Sequence, residues 1–526
     1  MPEVSTSSSV LLVALLVIPL VGALVVAFLR DNDKLAKQTA LGFSVVELAL
    51  ALASWAAYDP DGARLQQSFS IDWIPAFGVH ISFGIDGIAL VMIAVIGLLV
   101  PLVIGAGWME KLPAERSAGG FLSLILLQEA ITVGVFAATD VFLFYVLFEV
   151  MLIPMYFLIG NYGGPRRQYA AVKFFLYSFL GGLIMLASAI GAYSMAADSL
   201  GEGTFDWATL VRVVSDAPLE NQIWIFLGFF LAFAVKAPLV PFHTWLPDAA
   251  AEAPIGVAVL LVGVLDKVGT FGFLRYLLPM TPDASKTLAP LVLVMGVAGI
   301  LYGALLATMQ RDMKRFIAYV SIAHFGFIAL GIFAFSAQSE VGAVTYMLNH
   351  SIATGMLILV IGMVIARGGS TQISDYGGMA KLTPVLAGVF LVAGLASLSL
   401  PGTNSFISEF LVLIGSYGNE PVYTILGTIG MILAAMYVLW LYQRIFHGPV
   451  RGDALIDVAG GPGTVMAPEL GARKAILDLN GREKLVLAPL LVLVVGIGFY
   501  PAPVLDVITP TVNSTLDAVG ISDGGN

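Results

Sequence analysis

The stretch IWIFLGFFLAFAVKAPLVPFHTWLPDA at residues 223–249 decides the fold, together with PIGVAVLLVGVLDKVGTFGFLRY at residues 254–276. Both are long and apolar enough to cross a membrane, yet each carries a lysine near its middle, Lys236 in the first and Lys267 in the second. A lysine at the centre of a membrane helix costs roughly 2.5–3.5 kcal/mol. Buried lysines also change protonation state easily, which suits them to accept and release protons. Proton movement is therefore the first functional hypothesis.

The composition of the chain is that of an integral membrane protein. Of its 526 residues, 59% are hydrophobic and only 11% are charged, whereas soluble domains have about 25% charged residues. The absence of cysteine excludes disulfides, thiolate zinc sites and iron–sulfur ligation by this chain. No metal-ligand spacing such as HExxH occurs, and no glycine-rich nucleotide loop follows a strand pattern. The net charge of −10 argues against nucleic acid as a partner.

The apolar runs predict an all-α polytopic membrane protein with about fourteen transmembrane helices, because each crossing needs about 20 apolar residues. The first run is expected to be a retained helix and not a signal peptide, since no positively charged segment precedes it. The predicted spans are residues 10–29, 36–57, 84–107, 119–138, 140–160, 170–196, 222–245, 254–278, 288–308, 314–335, 341–366, 383–416, 421–446 and 485–506.

Two of these spans are predicted to be broken helices. The twelfth is too long for one crossing and contains Pro401-Gly402, and the seventh has Pro238 and Pro241 shortly after Lys236. Because the two breaks lie five spans apart, we expect two five-helix repeats of inverted topology, spans 4–8 and spans 9–13. The single membrane domain then divides into residues 1–118 for helices 1–3, 119–278 for the first repeat, 288–446 for the second, 447–484 for an inside loop and 485–526 for the last helix and tail.

Basic residues predict the orientation of the chain in the membrane. With fourteen spans and the N-terminus outside, nineteen of the 25 lysines and arginines fall inside, four outside and two within the membrane. Inside loops favour positive charge, so both termini are expected outside. The one sizeable inside loop, about residues 447–483, is rich in glycine and proline and predicts no soluble domain.

Ionisable residues near the centres of six different spans are the candidate functional residues. They are Glu149, Lys236, Lys267, His324, His350 and Glu409. A membrane histidine taken alone is a packing residue about as often as a functional one. A lone glutamate or lysine can be half of a structural ion pair. One such group on each of several helices, however, supplies what a lateral proton relay needs. The lysine of span 7 and the glutamate of span 5 are expected to form a movable ion pair, because opposite charges favour each other's charged forms.

Other ionisable residues support weaker interpretations. His243 lies in the loop after the first break and is expected either to admit protons or to be structural. Asp86 and Asp140 lie at span edges and are expected to cap helices. Glu47 and Glu129 are isolated within the membrane, where interhelical hydrogen bonding and a part in transport both remain open.

Four motifs around these residues resemble the antiporter-like subunits of respiratory complex I. They are KAPLVPFHTWLPDAAAEAP at 236–254, LVGVLDKVGTFGFLRY at 261–276, RDMKRFIAYVSIAHFGFI at 311–328 and LPGTNSFISEF at 400–410. The resemblance covers essentially the whole chain and is closest to the subunit M family of bacterial NADH-quinone oxidoreductase, the counterpart of mitochondrial chain 4. Glu409 supports that choice, because the sister subunits L and N and the Mrp antiporter subunits typically carry lysine there.

The resemblance implies a fourteen-helix fold with one proton channel, coupled to NADH oxidation and quinone reduction elsewhere in the complex. NADH, FMN, iron–sulfur clusters and quinone are expected in partner subunits, and no redox cofactor or metal is expected on this chain. Subunits L and N are expected on either side, with lipid around them, in the bacterial inner or plasma membrane. The implied roles are an ion pair for Glu149 and Lys236, a central lysine for Lys267, linking relay residues for His324 and His350, and a terminal relay residue for Glu409.

Two positions depart from the family pattern. Ala250 stands where a loop histidine is common, and Asp266 stands directly before Lys267, where an apolar residue is usual. A carboxylate so close in sequence is expected to favour the charged form of Lys267. Two other transport functions stay open, a subunit of an Mrp-type cation/proton antiporter and a subunit of a membrane-bound hydrogenase complex. The alternative without transport is a scaffold whose charges only hold helices together.

Overall fold

Helices account for almost all of the secondary structure. The computed structural model describes residues 9–110, 112–113, 115–457, 461–462, 464–467 and 472–521. Short strands occur between two membrane helices and in the predicted inside loop. Both ends of the chain, which are predicted to lie on the outer side of the membrane, and parts of the 447–483 loop fall beyond the described residues.

The helices follow the predicted apolar spans, because a membrane-crossing segment must satisfy its backbone hydrogen bonds internally. Two π-helical turns, Leu261–Leu265 and Phe273–Leu277, join three short helices into one continuous rod, Ile255–Met280. In chain order the helices are α1 Ser9–Ala27, α2 Asp33–Ala56, α3 Gly87–Ala106, α4 Ala118–Ala137, α5 Val141–Val150, α6 Leu152–Tyr162, α7 Arg167–Leu200, α8 Trp207–Ser215, α9 Leu219–Lys236, α10 Leu246–Glu252, α11 Ile255–Leu260, α12 Lys267–Gly272, α13 Leu278–Met280, α14 Pro282–Met309, α15 Met313–Phe333, α16 Ala337–Gly368, α17 Pro384–Ser397, α18 Asn404–Tyr417, α19 Pro421–Phe446, α20 Gly481–Phe499 and α21 Ala502–Val519.

The described part of the chain contains 12 helices long and apolar enough to span a membrane. A thirteenth crossing is formed if α20 and α21, which meet at 70°, are taken together. The predicted twelfth span is divided between α17 and α18, each of 14 residues. The polytopic all-α fold class is therefore confirmed, whereas the count of fourteen and the inverted repeats stay predictions.

Both predicted helix breaks are present. Helix α9 ends at Lys236, and the next helix, α10, begins only at Leu246. In the second break, α17 ends at Ser397 and α18 begins at Asn404, so that Pro401-Gly402 lies between them. A positive φ of 91° at Gly402 suits this turn, because glycine has no Cβ to oppose it.

The β-hairpin between α2 and α3 is a feature that the sequence analysis did not predict. Strand β1 (Gln66–Ile74) pairs antiparallel with β2 (Val79–Ile85), with Phe69 opposite Phe83 and Ile71 opposite Ile81. The predicted third span begins at residue 84, but α3 begins at Gly87, after the hairpin. The alternating pattern of polar and apolar residues in SFSIDWIPAFGVHISFGI is that of a strand pair, with Gly78 at positive φ in the turn.

Two smaller strand pairs lie in the predicted inside loop. Strands β3 (Ile456–Asp457) and β4 (Gly461–Pro462) form one, and β5 (Thr464–Ala467) and β6 (Ala472–Ala475) form the other. Two or four residues per strand are too few to make an independently stable sheet. The loop thus adds no soluble domain among the described residues.

Aspartate side chains cap helices at both positions where the sequence predicts it. Asp86 accepts a hydrogen bond from the Ala89 nitrogen at 2.9 Å, and Asp140 accepts one from the Leu143 nitrogen at 2.9 Å. Each cap satisfies one of the backbone N–H groups that a helix leaves without a partner in its first turn. The starts of α3 and α5 are fixed in this way.

The interior of the molecule is built from the rod Ile255–Met280 and from α15 and α16, whose residues are almost all buried. Helices α1, α2, α7 and α19 lie at the periphery and expose apolar side chains such as Leu24, Leu180 and Ile432. Such exposed apolar faces suit lipid or neighbouring membrane subunits. Three of the six candidate functional residues, Lys267, His324 and His350, lie on these interior helices.

Candidate proton relay

The predicted relay residues are brought into the interior from six helices. Lys236 and Lys267 are 0% exposed, the two histidines and Glu409 are buried, and Glu149 is half-buried. Membrane burial of this kind requires each charge to find partners or to have a function. The helices that carry them are α5 for Glu149, α9 for Lys236, α12 for Lys267, α15 for His324, α16 for His350 and α18 for Glu409.

Lys267 is within hydrogen-bond distance of His350. Its Nζ lies 2.6 Å from His350 Nδ1 and donates to the Val262 carbonyl oxygen at 2.5 Å. Val262 belongs to the first π-helical turn, in which a backbone N–H bonds to the carbonyl five residues earlier and not four. Ser351 donates to the neighbouring carbonyl of Gly263 at 2.5 Å. Carbonyl oxygens of the π turn thus accept hydrogen bonds from the lysine ammonium and from a serine of α16.

His350 lies next to His324, which in turn lies next to Tyr346. The second ring nitrogen, Nε2, lies 3.1 Å from Ser321 Oγ, so both nitrogens of His350 have polar neighbours. The ring centroids of His350 and His324 are 5.2 Å apart, and those of His324 and Tyr346 are 5.6 Å apart. Three ring systems thus lie side by side between α15 and α16.

Glu409 closes this series at the second helix break. The Tyr346 hydroxyl donates to Glu409 Oε2 at 3.2 Å, and the Ser399 hydroxyl donates to the same oxygen. Ser399 lies in the segment between α17 and α18 and has a positive φ of 60°, an uncommon backbone conformation for a residue other than glycine. The break therefore supplies a hydrogen bond to the carboxylate of the predicted terminal residue.

Tyr346, Ser321 and Ser399 are members of the site that the sequence analysis missed. A signal existed for Tyr346, because it precedes His350 by four residues and so shares its face of α16. The two serines carried no such signal, since their contacts depend on how α15 and the second break pack against α16.

Lys236 lies at the C-terminal end of α9 without a hydrogen-bond partner among the described residues. Its Nζ stands 5.0 Å from the ring centroid of Phe174 and 5.7 Å from that of Phe148. The negative end of the helix dipole and the faces of two aromatic rings favour a cation at this position. They offset only part of the cost of burying an ammonium.

Glu149 approaches Lys236 but does not form a closed ion pair with it. Both carboxylate oxygens lack hydrogen-bond partners within the described residues, although the two charges interact electrostatically. The carboxylate packs on Gly182 of α7, where an added Cβ would lie 1.5 Å from Glu149 Oε1. The two groups therefore interact without forming an ion pair, which we call the open arrangement, and the movable ion pair stays a prediction.

Asp266 is the third charge near these lysines. It is 0% exposed, and both of its carboxylate oxygens are unpartnered in the part of the chain that the structure describes. It interacts electrostatically with Lys267 and with Lys236. The expected effect of Asp266 on its sequence neighbour thus extends to a second lysine on another helix.

His243 is buried but does not join the series around Lys267. Its ring contacts Tyr302 of α14, with centroids 5.1 Å apart, and Tyr302 in turn contacts Tyr319 of α15. These aromatic contacts fit a structural role, and a part in proton entry stays a prediction. Ala250, where a loop histidine is common in the family pattern, is buried in α10.

A second group of buried charges lies around the start of α3, apart from the six candidates. Arg275 and Asp86 form an ion pair of 2.7 Å with both side chains 1% exposed, and Arg64 lies 4.0 Å from the same carboxylate oxygen. The Trp207 ring stacks against both guanidinium groups. Two guanidinium groups thus share one carboxylate, and because breaking such a buried pair is costly, the group fits a structural role.

Glu47 and Glu129, which the sequence leaves open, are also buried. Their carboxylate oxygens have no hydrogen-bond partner among the described residues, and the two carboxylates interact electrostatically across α2 and α4. Two neighbouring carboxyl groups resist double ionisation in a low dielectric. Within the described part of the chain, no hydrogen bond or ion pair joins either carboxylate to a relay residue.

Comparison with known proteins assigns the chain to a family. Residues 138–437 match the model of the NADH:quinone oxidoreductase/Mrp antiporter transmembrane family. NADH-quinone oxidoreductase subunit M of Mycobacterium tuberculosis (strain ATCC 25618 / H37Rv) is 43% identical over 540 residues, covering 96% of this chain and 94% of that protein. The chain belongs to the subunit M family of NADH-quinone oxidoreductases. NADH-ubiquinone oxidoreductase chain 4 of Arabidopsis thaliana is 34% identical, covering 95% of this chain and 96% of that protein.

Solved structures of respiratory and antiporter complexes contain chains with the same fold as this one. A chain of respiratory complex I from Thermus thermophilus superimposes with a TM-score of 0.82 at 30% identity, covering 97% of this chain and 100% of that one. A chain of the Mrp complex from Dietzia sp. DQ12-45-1b has a TM-score of 0.83 at 20% identity, covering 98% and 99%, which shows a shared fold alone. This subunit M family member is a proton-pumping membrane-arm subunit of complex I, and the Mrp and hydrogenase alternatives are less well supported.

Proposed function

We propose that this subunit carries protons across the membrane through its buried line of ionisable side chains. The single observation that carries the proposal is the series from Lys267 through His350, His324 and Tyr346 to Glu409, which runs across the interior to the second helix break. Every member can hold or pass a proton, and the surrounding helices exclude bulk water. A structural scaffold would not need adjacent groups of such different acidity.

The Lys267–His350 contact is the central transfer step of the proposed relay. The Lys267 ammonium gives a proton to Nδ1 of the neutral imidazole, so that one N–H bond breaks on the lysine and one forms on the ring. The imidazolium then gives a proton to the neutral ring of His324, whose centroid lies 5.2 Å away, so that one N–H bond breaks on His350 and one forms on His324. The neutral Lys267 amine is then ready to accept the next proton.

Glu409 is proposed to hold the proton at the end of the series. Its carboxylate accepts hydrogen bonds from Tyr346 and Ser399, which orient it towards the histidines and stabilise the charged form. Because Ser399 belongs to the helix break, a movement of that segment would remove this hydrogen bond and raise the proton affinity of Glu409. The break thereby couples a conformational change to proton uptake, and its return to proton release.

The open pair of Glu149 and Lys236 is proposed to be the switch at the other end. In the open arrangement neither group is compensated by a hydrogen bond, so a small movement that closes the pair is strongly favoured electrostatically. Closing the pair holds the proton on Lys236, and opening it promotes proton release. Part of the Glu149 side chain is exposed, whereas its two carboxylate oxygens are buried.

The assembly around this subunit completes the proposal. NADH, FMN, iron–sulfur clusters and quinone are held by partner subunits, and this chain carries no redox chemistry of its own. Subunits L and N flank it in the inner or plasma membrane, with both termini outside and lipid on the exposed faces of α1, α2, α7 and α19.

The test is proton pumping by the assembled complex that carries Glu409→Gln. Glutamine keeps the size and the hydrogen bonds of the side chain but cannot take up a proton, so coupled pumping should fall about 100-fold, the low end for removing a positioned proton-transfer group. Glu220→Gln, at an exposed position in the first turn of α9, is the matched control and should pump normally. Normal pumping by an assembled Glu409→Gln complex would contradict the proposal.

A further inference from the structure

Asp266 has no part in the relay proposed above, although it is buried beside it. The side chain is 0% exposed and its two carboxylate oxygens have no hydrogen-bond partner among the described residues. A buried carboxylate without hydrogen bonds is costly unless charges of opposite sign compensate it. The ammonium groups of Lys236 and Lys267 are the cations that act on it.

The packing of the helix directs Asp266 towards α9. Gly269, three residues later, is in direct contact with α9, because an added Cβ would lie 2.5 Å from both the Ala237 nitrogen and the Phe233 carbonyl oxygen. Helix residues three apart share a face, so Asp266 faces the end of α9 as well. Lys236 is the last residue of α9. The carboxylate and this ammonium therefore face each other across the helix contact.

Lys267, in contrast, is directed towards α16. Adjacent residues of a helix point about 100° apart, and the Lys267 ammonium lies against His350 of α16 at 2.6 Å. The turn that contains residues 266 and 267 thus presents an acid to one neighbouring helix and a base to another. Together with Glu149 and Lys236, it gives an order of groups that alternates between acid and base.

We propose that Asp266 is the proton carrier between Lys236 and Lys267, a step for which the proposed function names no group and on which this inference rests. The Lys236 ammonium gives a proton to the Asp266 carboxylate, which leaves a neutral amine and a neutral carboxylic acid. The acid then gives the proton to the neutral amine of Lys267, which restores the carboxylate and creates the Lys267 ammonium. Each transfer removes or recreates one pair of opposite charges, so no like charges accumulate in the low dielectric.

The experiment measures proton pumping by the assembled, reconstituted complex with Asp266→Asn. Asparagine has the same size but cannot accept the proton, so coupled pumping should fall roughly tenfold to 100-fold. Asp266→Glu restores a carboxylate and should pump several-fold faster than Asp266→Asn. Asp283→Asn, the same change at a 57% exposed side chain outside the relay, is the matched control and should pump as the unchanged complex does.

A second variant protects the test against a failure to assemble. Asp266→Leu is apolar and of similar length, so it removes the cost of the buried charge and should assemble while pumping as poorly as Asp266→Asn. Normal pumping in either variant would overturn the role of Asp266, as would equal losses in Asp266→Asn and Asp266→Glu. Lys236→Ala separates the two proposals: if it abolishes pumping while Asp266→Asn pumps normally, only the inference on Asp266 is wrong.

Discussion

The two halves of the buried line differ in how their charges are compensated. In the linked half, Lys267, His350, Tyr346 and Glu409 have polar partners at hydrogen-bond distance. In the open half, Glu149, Lys236 and Asp266 are held near one another with no hydrogen bond to any of their charged atoms among the described residues.

This difference assigns separate tasks to the halves. Hydrogen-bonded groups pass a proton with little rearrangement, whereas uncompensated charges in a low dielectric gain much from a small movement. Within the linked half, His324 is joined to its neighbours by ring contacts, and its Nδ1 has no hydrogen-bond partner among the described residues. The open half is therefore the place where a conformational change in the complex has the largest effect on proton affinity. In the proposed relay, the linked half transfers the protons and the open half controls when they move.

The largest effect is expected from breaking the linked half at its central lysine. Lys267→Arg keeps a positive charge but removes the ability to lose a proton, because arginine stays protonated. Coupled pumping should fall about 100-fold or more. Lys286→Arg, a partly exposed residue, is the control and should have no effect on pumping by the reconstituted complex. Retained pumping in Lys267→Arg would mean that protons bypass this residue.

A smaller effect is expected at the tyrosine of the linked half. Tyr346→Phe keeps the ring beside His324 and removes only the hydroxyl that donates to Glu409. Because the Ser399 hydrogen bond to the same carboxylate remains, pumping should fall roughly tenfold, the effect of about 1.4 kcal/mol for one hydrogen bond to a charged group. Pumping rates of this variant and of Tyr423→Phe, on α19 outside the line, provide the comparison.

The two halves should also differ in how much the protein gains in stability when their buried charges are replaced by apolar side chains. Lys236→Met combined with Asp266→Leu removes a buried pair of opposite charges without hydrogen bonds and should stabilise the protein by about 1–4 kcal/mol. Lys267→Met combined with Asp266→Leu also removes two opposite charges but leaves the Val262 carbonyl unpaired, so its gain should be smaller. Thermal unfolding of the purified complexes in detergent gives both midpoints, and equal shifts would erase the distinction between the halves.

The smallest effect is expected at a glycine that shapes the open half. A Cβ in Gly182→Ala would meet Glu149 Oε1 at 1.5 Å, so the carboxylate must move and the geometry of the switch changes. Pumping should fall a few-fold without loss of assembly. Gly388→Ala, in α17 with nothing within 4 Å of the added Cβ, is the matched control and should leave pumping unchanged. A normal rate in Gly182→Ala would show that the position of Glu149 is not critical.

Much of the fold follows from the sequence because the membrane leaves few choices for an apolar run. The breaks after Lys236 and around Pro401-Gly402 were predictable from proline, which cannot continue a helix. The hairpin before α3 was not predicted, because residues 58–83 were assigned to no span, and only Gly84 and Ile85 of its second strand were placed in the span that follows. The last span was placed to residue 506, but α20 ends at Phe499, where Tyr500-Pro501 begins a 70° bend.

The six ionisable candidates could be identified from the sequence, whereas the serines at positions 321 and 399 and the contacts between the residues could not. Charge in an apolar span identified all six candidates, because burial of charge is costly wherever it occurs. The contact of Lys267 with His350 depends on a π turn and on the packing of α12 against α16, which no local pattern specifies. The direction of Asp266 towards α9 depends likewise on Gly269, whose role becomes clear only from the helix contact.

The most direct test of the central claim is the number of protons pumped per NADH oxidised by the reconstituted complex with Lys236→Ala. This lysine is the switch through which the open half is proposed to control the linked half, and alanine cannot carry its proton. The account predicts that the assembled complex loses the protons that pass through this subunit, so that the number per NADH falls. The same number of protons per NADH as in the unchanged complex would contradict it.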